Sequence, residues 1–320
     1  MLNQLQRSSW PAQEDDDFAV NVCEGLSRPR KSLPCRFFYD AIGSALFEQI
    51  THQPEYYPTR TEIAILKSNA RQMLDGCLSD TLLVEFGSGS SLKTEFLIEE
   101  LPRLHAYVPI DVSQSALAEA ESRLANRFPG LVVQPLLGDF SHPIALPPDF
   151  IKHPKIGFFP GSTIGNFTPM EAVELLRLIR IILSPGGRLI IGVDLKKDVR
   201  RLLRAYDDAE GLTAAFNLNL LSRINRELGG SFDLRKFRHE ASYDPIEGRI
   251  EMHLVSMTDQ NVTVAERQFR FRAGETIHTE NSYKYTSDQF REIGRLAGWM
   301  AQRVWIDEEA LFSVHELVEP

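Results

Sequence analysis

Apolar positions fall into two rhythms along the chain, and the change between them marks its organisation. Phe37, Phe38, Leu46, Phe47 and Ile50 take the spacing of one helix face. Tyr56-Tyr57-Pro58-Thr59-Arg60 then reads as a break, and a second helix is predicted from about Thr61 to Leu74, ahead of Gly76. From Thr81 short continuous apolar runs alternate with helical ones. Strands are predicted at 81–86, 106–110, 131–133, 155–159 and 188–193. Helices are predicted from the glycine turn through Leu101, over 114–127 and over 169–183. Strands alternating with helices of these lengths predict a parallel sheet covered on both faces.

Beyond that sheet the pattern changes again. Residues 196–227 read as one or two helices, interrupted near Gly211-Leu212-Thr213. Strand-like runs at 239–256 and 262–271, divided by Pro245, Gly248 and Asp259-Gln260, suit antiparallel pairing in a smaller appended lobe. A last helix at 287–297 and strands at 302–306 and 311–315 are placed to return and complete the main sheet. The expected organisation is a lead-in (1–36), a helical segment (37–80), a seven-stranded α/β domain (81–195 with 286–320) and an inserted lobe (196–285). Asp15-Asp16-Asp17 in the lead-in reads as a solvated acidic patch.

Composition narrows the classes. The 320 residues, 43% hydrophobic and 25% charged, are those of an ordinary globular protein. Thirty-five basic against 44 acidic residues give a net charge of −9, which argues against a dedicated nucleic-acid binder. Cys23, Cys35 and Cys77 are too few and too scattered for a disulfide framework or a cysteine-rich zinc site. No apolar run reaches the ~18 residues of a membrane span, and the N-terminus lacks a signal-peptide pattern. A soluble, cytoplasmic monomer is expected, without nucleic-acid or membrane partners.

Chemistry concentrates at strand ends. Gly87 and Gly89, in Glu85-Phe86-Gly87-Ser88-Gly89-Ser90, follow a strand and precede a helix, where a glycine turn admits a ligand close to the backbone. Alone the turn fits several nucleotides, or a purely structural role. Asp111, at the end of the next strand, can accept from ribose hydroxyls, which also suits NAD. The three-glycine dinucleotide spacing and a terminal GK[ST] are both absent. S-adenosyl-L-methionine (SAM) carries no pyrophosphate and fits better. Asp139-Phe140 supplies an acid for an adenine amino group and a ring beside its face, although Asp139 also reads as a turn cap. Gly161-Ser162-Thr163-Ile164-Gly165-Asn166 after the fourth strand is where a methyl would meet its acceptor. Asn166 can donate and accept at once there, or hold its own loop.

These segments resemble the EgtD-like histidine Nα-methyltransferases of ergothioneine biosynthesis. The resemblance runs from about residue 35 to the C-terminus. It is carried by Phe38-Tyr39-Asp40, Pro54 to Arg60, the Glu85 turn, Pro109-Ile110-Asp111-Val112-Ser113, Gly138-Asp139-Phe140 and the Gly161 to Asn166 loop. Asp194-Leu195-Lys196-Lys197-Asp198, Ala205-Tyr206-Asp207-Asp208, Thr213 to Asn217 and Thr279-Glu280-Asn281-Ser282 extend it. It implies a Rossmann-like class I SAM-dependent methyltransferase domain with an appended α+β substrate-binding lobe. The reaction it implies is three methylations of the α-amine of L-histidine, giving hercynine and S-adenosyl-L-homocysteine. Tyr56, Gly87, Lys93, Asp111, Asp139 and Phe140 are then expected around SAM. Asn166 and Tyr206 are expected at the substrate carboxylate, Tyr39 at the amine as the candidate catalytic residue, and Thr213 nearby. Glu280 and Ser282 are expected at the imidazole, with Met252 as an apolar wall.

The chemistry is consistent with that reading. SAM presents an activated methyl, so alignment and exclusion of water suffice without metal or covalent intermediate. Glu280 and Ser282 are i and i+2, so on a strand they face one way, and Asn281 faces the other. Tyr39, with an ordinary pKa near 10, is a positioner rather than a strong base. The eight histidines form no HExxH motif or compact cluster in sequence, and no metal is expected. Alternatives are methylation of tryptophan or tyrosine, a non-catalytic SAM-binding protein, and an NAD-dependent oxidoreductase.

Overall fold

The computed structural model describes residues 14–89, 91–101 and 103–320. The start of the lead-in and Ser90 in the glycine turn lie outside them. The N-terminal part holds α1 (Glu14–Ser27), β1 (Lys31–Ser32), α2 (Ala41–Thr51) and α3 (Tyr57–Met73). There follow β2 (Thr81–Phe86), α4 (Glu95–Glu99), β3 (Leu104–Asp111), α5 (Gln114–Arg127), β4 (Leu136–Leu137), β5 (Lys155–Phe159), α6 (Pro169–Leu183) and β6 (Arg188–Asp194). The lobe region holds α7 (Val199–Tyr206), α8 (Leu212–Leu228), β7 (Phe237–Asp244), β8 (Arg249–Ser256), β9 (Gln260–Val264), β10 (Arg267–Phe271) and β11 (Thr276–Tyr283). The chain closes with α9 (Ser287–Leu296), β12 (Met300–Ile306) and β13 (Phe312–Val318).

Every residue of β2 and of β5 is buried, as continuous apolar strands covered on both faces must be. The main sheet runs β12-β13-β6-β5-β2-β3-β4, parallel from β6 to β4, with β13 antiparallel to both β6 and β12. This is the Rossmann-like class I methyltransferase fold with an added α+β lobe. Strand order reverses between β2 and β5, which opens a crevice beyond their carboxyl ends. Helices start where local chemistry lets them: Thr168 and Glu171 form a capping box on α6, and Thr286 and Gln289 one on α9.

The lobe is a four-stranded sheet, β1-β11-β8-β7, with β9 and β10 as a separate hairpin. Here the structure departs from the sequence reading. The lead-in is not loosely organised beyond residue 13: α1 is a regular helix, and β1 adds to the lobe sheet beside β11. Phe18, Val22 and Phe38 share one core with Leu220, Ile224, Leu254 and Ile277, so the N-terminal segment and the lobe bury each other's apolar faces.

Three element boundaries also move. Asp40 accepts from the Gly43 amide (2.7 Å), so α2 starts at Ala41 and leaves Phe37 and Phe38 in a preceding 3-10 turn. Pro58 opens α3 instead of breaking it, because proline suits a helix's first turn, where no amide partner is lost. The strand expected at 131–133 is reduced to a single bridge of Val133 to Tyr107. The paired edge strand is Leu136–Leu137.

Candidate active site

One end of the crevice is built by the β2 turn. Gly87 has φ +69°, and a Cβ there would lie 3.2 Å from the Phe140 ring, so the turn and Phe140 are in contact only because residue 87 is glycine. The Phe140 ring is itself braced edge-on against Phe159, 5.3 Å between centroids. Asp111, the last residue of β3, accepts from the amides of Gly89 (2.8 Å) and Ser113 (2.9 Å). Burial raises its carboxyl while those amides pull it down. Glu85 opens the motif and is buried, accepting from Thr94 ahead of α4 and from Tyr107 on β3. Burial pushes it up to about 8.

Asp139 takes the cap role that the sequence left open. Its Oδ1 accepts from the Ser141 amide (2.9 Å) and hydroxyl (2.6 Å), while Oδ2 faces Arg36 Nε at 3.9 Å. Lys93 is not a free cation. Its ammonium donates to Glu62 Oε2 (2.6 Å), and that fully buried carboxylate also accepts from the Gly161 amide (2.9 Å). Glu62 fits because residue 192 is glycine: a Cβ there would lie 2.0 Å from Glu62 Oε1. The pair fastens α3 to the loop after β5.

That loop leads to the other end of the crevice, where the residues expected at the substrate lie. Asn166 closes a 3-10 turn, Thr163–Asn166, and Gly165 within it presses on β11, where a Cβ would lie 2.8 Å from Tyr283 O. On β11 a bulge between His278 and Glu280 sets the register, placing Glu280 opposite Met252 and Ser282 opposite Ile250 on β8. Glu280 is buried and pushed up to about 7, with the Lys284 charge pulling it back. Asn281 points to the other face, where its Oδ1 accepts from His278 Nε2 (2.9 Å).

Tyr206, at the end of α7, shares a hydrogen bond with Ser282 (2.6 Å). Tyr39 packs edge-on against Phe47 and Phe216, 5.7 Å from each, and Tyr56 against Phe47 at 6.0 Å. Burial, then the Glu280 charge, drives the Tyr39 phenol well above its ordinary value, and burial does the same for Tyr56. Tyr39 is therefore a neutral hydroxyl that can orient an amine and cannot deprotonate it. Thr213 is buried at the start of α8, its amide on Asp208 Oδ1 (2.7 Å).

Sequence reasoning missed Glu62 and Lys284 behind these residues, and it quoted Tyr57, Asp194 and Lys197 only within segments carrying the resemblance, without a role. Asp194, at the end of β6, accepts from Tyr57 (2.8 Å) and pairs with Lys197 and with Lys284 (2.7 Å). A signal for Lys284 existed, since Glu280, Ser282 and Lys284 continue one period-two face. Among the described residues, Asp80, His105 and His153 form a group with metal-ligand chemistry. It sits at the amino ends of β2, β3 and β5, away from the crevice.

Residues 18–319, covering both the glycine turn and the Glu280 strand, match the family described as "Histidine-specific methyltransferase, SAM-dependent". The chain belongs to that family. Among histidine-specific methyltransferase relatives, the histidine N-alpha-methyltransferase of Mycolicibacterium smegmatis is 41% identical over 303 residues, 92% of each chain. That of Mycobacterium tuberculosis is 40% identical over 299 residues, again 92% of each. A 4-dimethylallyltryptophan N-methyltransferase of Aspergillus fumigatus is 29% identical over 92% of each chain. The histidine-specific family uses SAM, and the β2 turn fits it: Gly87 presents no Cβ toward the Phe140 ring, and the Asp111 carboxylate is fixed at the same turn by the Gly89 amide. No helix among the described residues is long and apolar enough to cross a membrane.

Proposed function

We propose that this enzyme transfers three methyl groups in succession from SAM to the α-amine of L-histidine, giving hercynine for ergothioneine biosynthesis. The observation that carries the reading is the Glu280–Ser282 pair: a buried acid and a hydroxyl, two residues apart on one strand face, opposite Met252. An imidazole has a nitrogen for each, and the Met252 side chain supplies an apolar wall. An indole offers one N–H and no acceptor, so a tryptophan-type substrate would leave part of this polar pair unmatched.

In this reading SAM supplies an activated methyl on a sulfonium. Asp111 accepts from the ribose, Gly87 and Phe140 admit and cover the adenine, and Asp139 accepts at its amino edge. Tyr56 and the Lys93–Glu62 pair shape the wall toward the amino-acid end. Asn166 and Tyr206 hold the substrate carboxylate, with Thr213 supporting that side. Tyr39, kept as a neutral phenol, orients the α-amine toward the methyl. The amine loses its proton to solvent before the crevice closes, because no neighbouring group on the acceptor side is built as a strong base. Residues 196–285 together with the N-terminal helices form the wall that excludes water. In this reading the enzyme acts as a monomer.

Replacing Glu280 with alanine tests the assignment. Histidine turnover should collapse while calorimetric SAM binding stays near wild type. Equal histidine turnover in the two proteins would remove Glu280 as the specificity group and the reading with it.

A further inference from the structure

The buried cation beneath the Tyr206–Ser282 pair has a definite hydrogen-bond arrangement. Lys284 Nζ lies 2.9 Å from the Tyr206 hydroxyl, 2.8 Å from Ser282 Oγ and 2.7 Å from Asp194 Oδ2. An ammonium has three hydrogens, and these three acceptors take all of them. Asp194 is fixed in turn by Tyr57 and Lys197, and its amide donates to Ser162 Oγ (2.9 Å) in the loop after β5. The pair at its centre is buried: the Lys284 side chain is 0% exposed and that of Asp194 1%.

The two hydroxyls own two hydrogens between them. Each accepts from Lys284, and they share one hydrogen bond with each other at 2.6 Å. One hydrogen is spent in that shared bond. The pair therefore has one hydrogen left to give: from Ser282 when Tyr206 donates inward, or from Tyr206 when Ser282 does.

We propose that Lys284, held on Asp194, is a positioning residue for the amino-acid substrate. It occupies a lone pair on each of Tyr206 and Ser282 and leaves them a single coupled hydrogen to donate to the bound amino acid. Neutral water or an apolar side chain at this position would let the two hydroxyls turn independently, and the pocket would lose its fixed donor. Asp194 also touches the loop carrying Asn166, its backbone amide donating to Ser162 Oγ. This rests on the amino-acid methyltransferase reading, which wild-type turnover of histidine tests separately.

The test is a cycle on the full-length enzyme, comparing Lys284→Met in the wild-type background with Lys284→Met in Tyr206→Phe/Ser282→Ala. Hydrogen bonds to a charged group are worth enough to predict a roughly 10- to 100-fold loss of kcat/KM for histidine in the first comparison. It should fall mainly in KM, with SAM affinity unchanged. In the second comparison, where the hydroxyls are already gone, the further loss should be no more than about 3-fold, because groups acting through one another are non-additive. An equal loss in both backgrounds overturns the proposal, since a merely structural lysine would cost the same in each. Removing Lys284 leaves Asp194 short of a partner, so the charge-balanced Asp194→Asn/Lys284→Met protein is carried through the same two backgrounds. Its melting temperature is measured alongside, and the same equal-loss result in that series also refutes the role.

Discussion

Gly165 is the point where the loop after β5 meets the strand that bears Glu280 and Ser282, and Gly165→Ala perturbs that contact alone. Its φ is not in the left-handed region, so alanine meets no backbone penalty of its own. The new Cβ would sit 2.8 Å from Tyr283 O and 3.3 Å from Tyr283 N, against an ordinary contact beginning at 3.4 Å. The two segments must part by about 0.6 Å, the shortfall against Tyr283 O. At this point β11 is held by β8, where Tyr283 pairs with Arg249, and by the Lys284 amide on Gly248 O (2.9 Å), so the short 163–166 turn is the element that gives. Asn166 moves with it, away from the proposed substrate carboxylate. A misplacement of ~1 Å in a positioning group can cost 100-fold in rate, so a shift of this size predicts a loss of roughly 10-fold in kcat/KM. Overpacking should also cost about 1–3 kcal/mol of stability. Steady-state kinetics at saturating SAM, calorimetric SAM binding and a thermal melt measure the three effects. An alanine variant with kcat/KM within twofold of wild type would refute the claim that this contact positions the acceptor site.

Three further outcomes follow from the same geometry. Gly87→Ala puts a Cβ 3.2 Å from the Phe140 ring at φ +69°, so SAM affinity should fall at least 10-fold with histidine specificity unchanged; unchanged SAM binding would remove the turn from the cofactor site. Glu62→Ala leaves Lys93 and the Gly161 amide without their buried partner. A loss of about 3–5 kcal/mol is expected, and a melt indistinguishable from wild type would contradict it. Burial lifts Glu280 from its ordinary 4.5 to about 7, so folding favours the protonated acid. Its contribution is intact below pH 4.5 and is withdrawn as pH rises through 7, on the order of 3 kcal/mol across that window. Glu280→Gln should therefore gain stability relative to wild type as pH climbs from 4.5 to 8. Glu85, also raised, is common to both proteins and cancels; a pH-independent difference in unfolding free energy would show that Glu280 is not so perturbed.

The parts of this molecule that were legible in its sequence are those specified over short distances. The apolar runs of β2 and β5, the positions of α6 and α9, and the period-two placement of Glu280, Asn281 and Ser282 are all local patterns. Pro58 was seen as punctuation but misassigned, because proline both ends helices and opens them, and only the surrounding packing decides which. The third strand was misplaced because an edge strand has one neighbour and needs little apolar sequence. What sequence could not reveal is pairing across the fold. Glu62 lies 31 positions from Lys93 and 99 from Gly161, and Asp194 meets Tyr57 137 positions away. Tyr206 and Lys284 join over 78. Without the resemblance, which gave a place only to Lys93 and Tyr206, these side chains read as solvated surface charges or ordinary helix residues. Burial turns them into the frame behind the site. The same limit hid the lead-in, whose α1 shows its purpose only against the apolar underside of the lobe.

The central claim is that the acceptor is the α-amine of free histidine and that it is methylated three times. The most direct measurement incubates the purified protein with SAM and a panel of free amino acids, and identifies the products by mass. The account predicts three successive methyl additions to histidine and none to tryptophan or tyrosine. Methylation of an aromatic amino acid in preference to histidine, or of no amino acid at all, would contradict it.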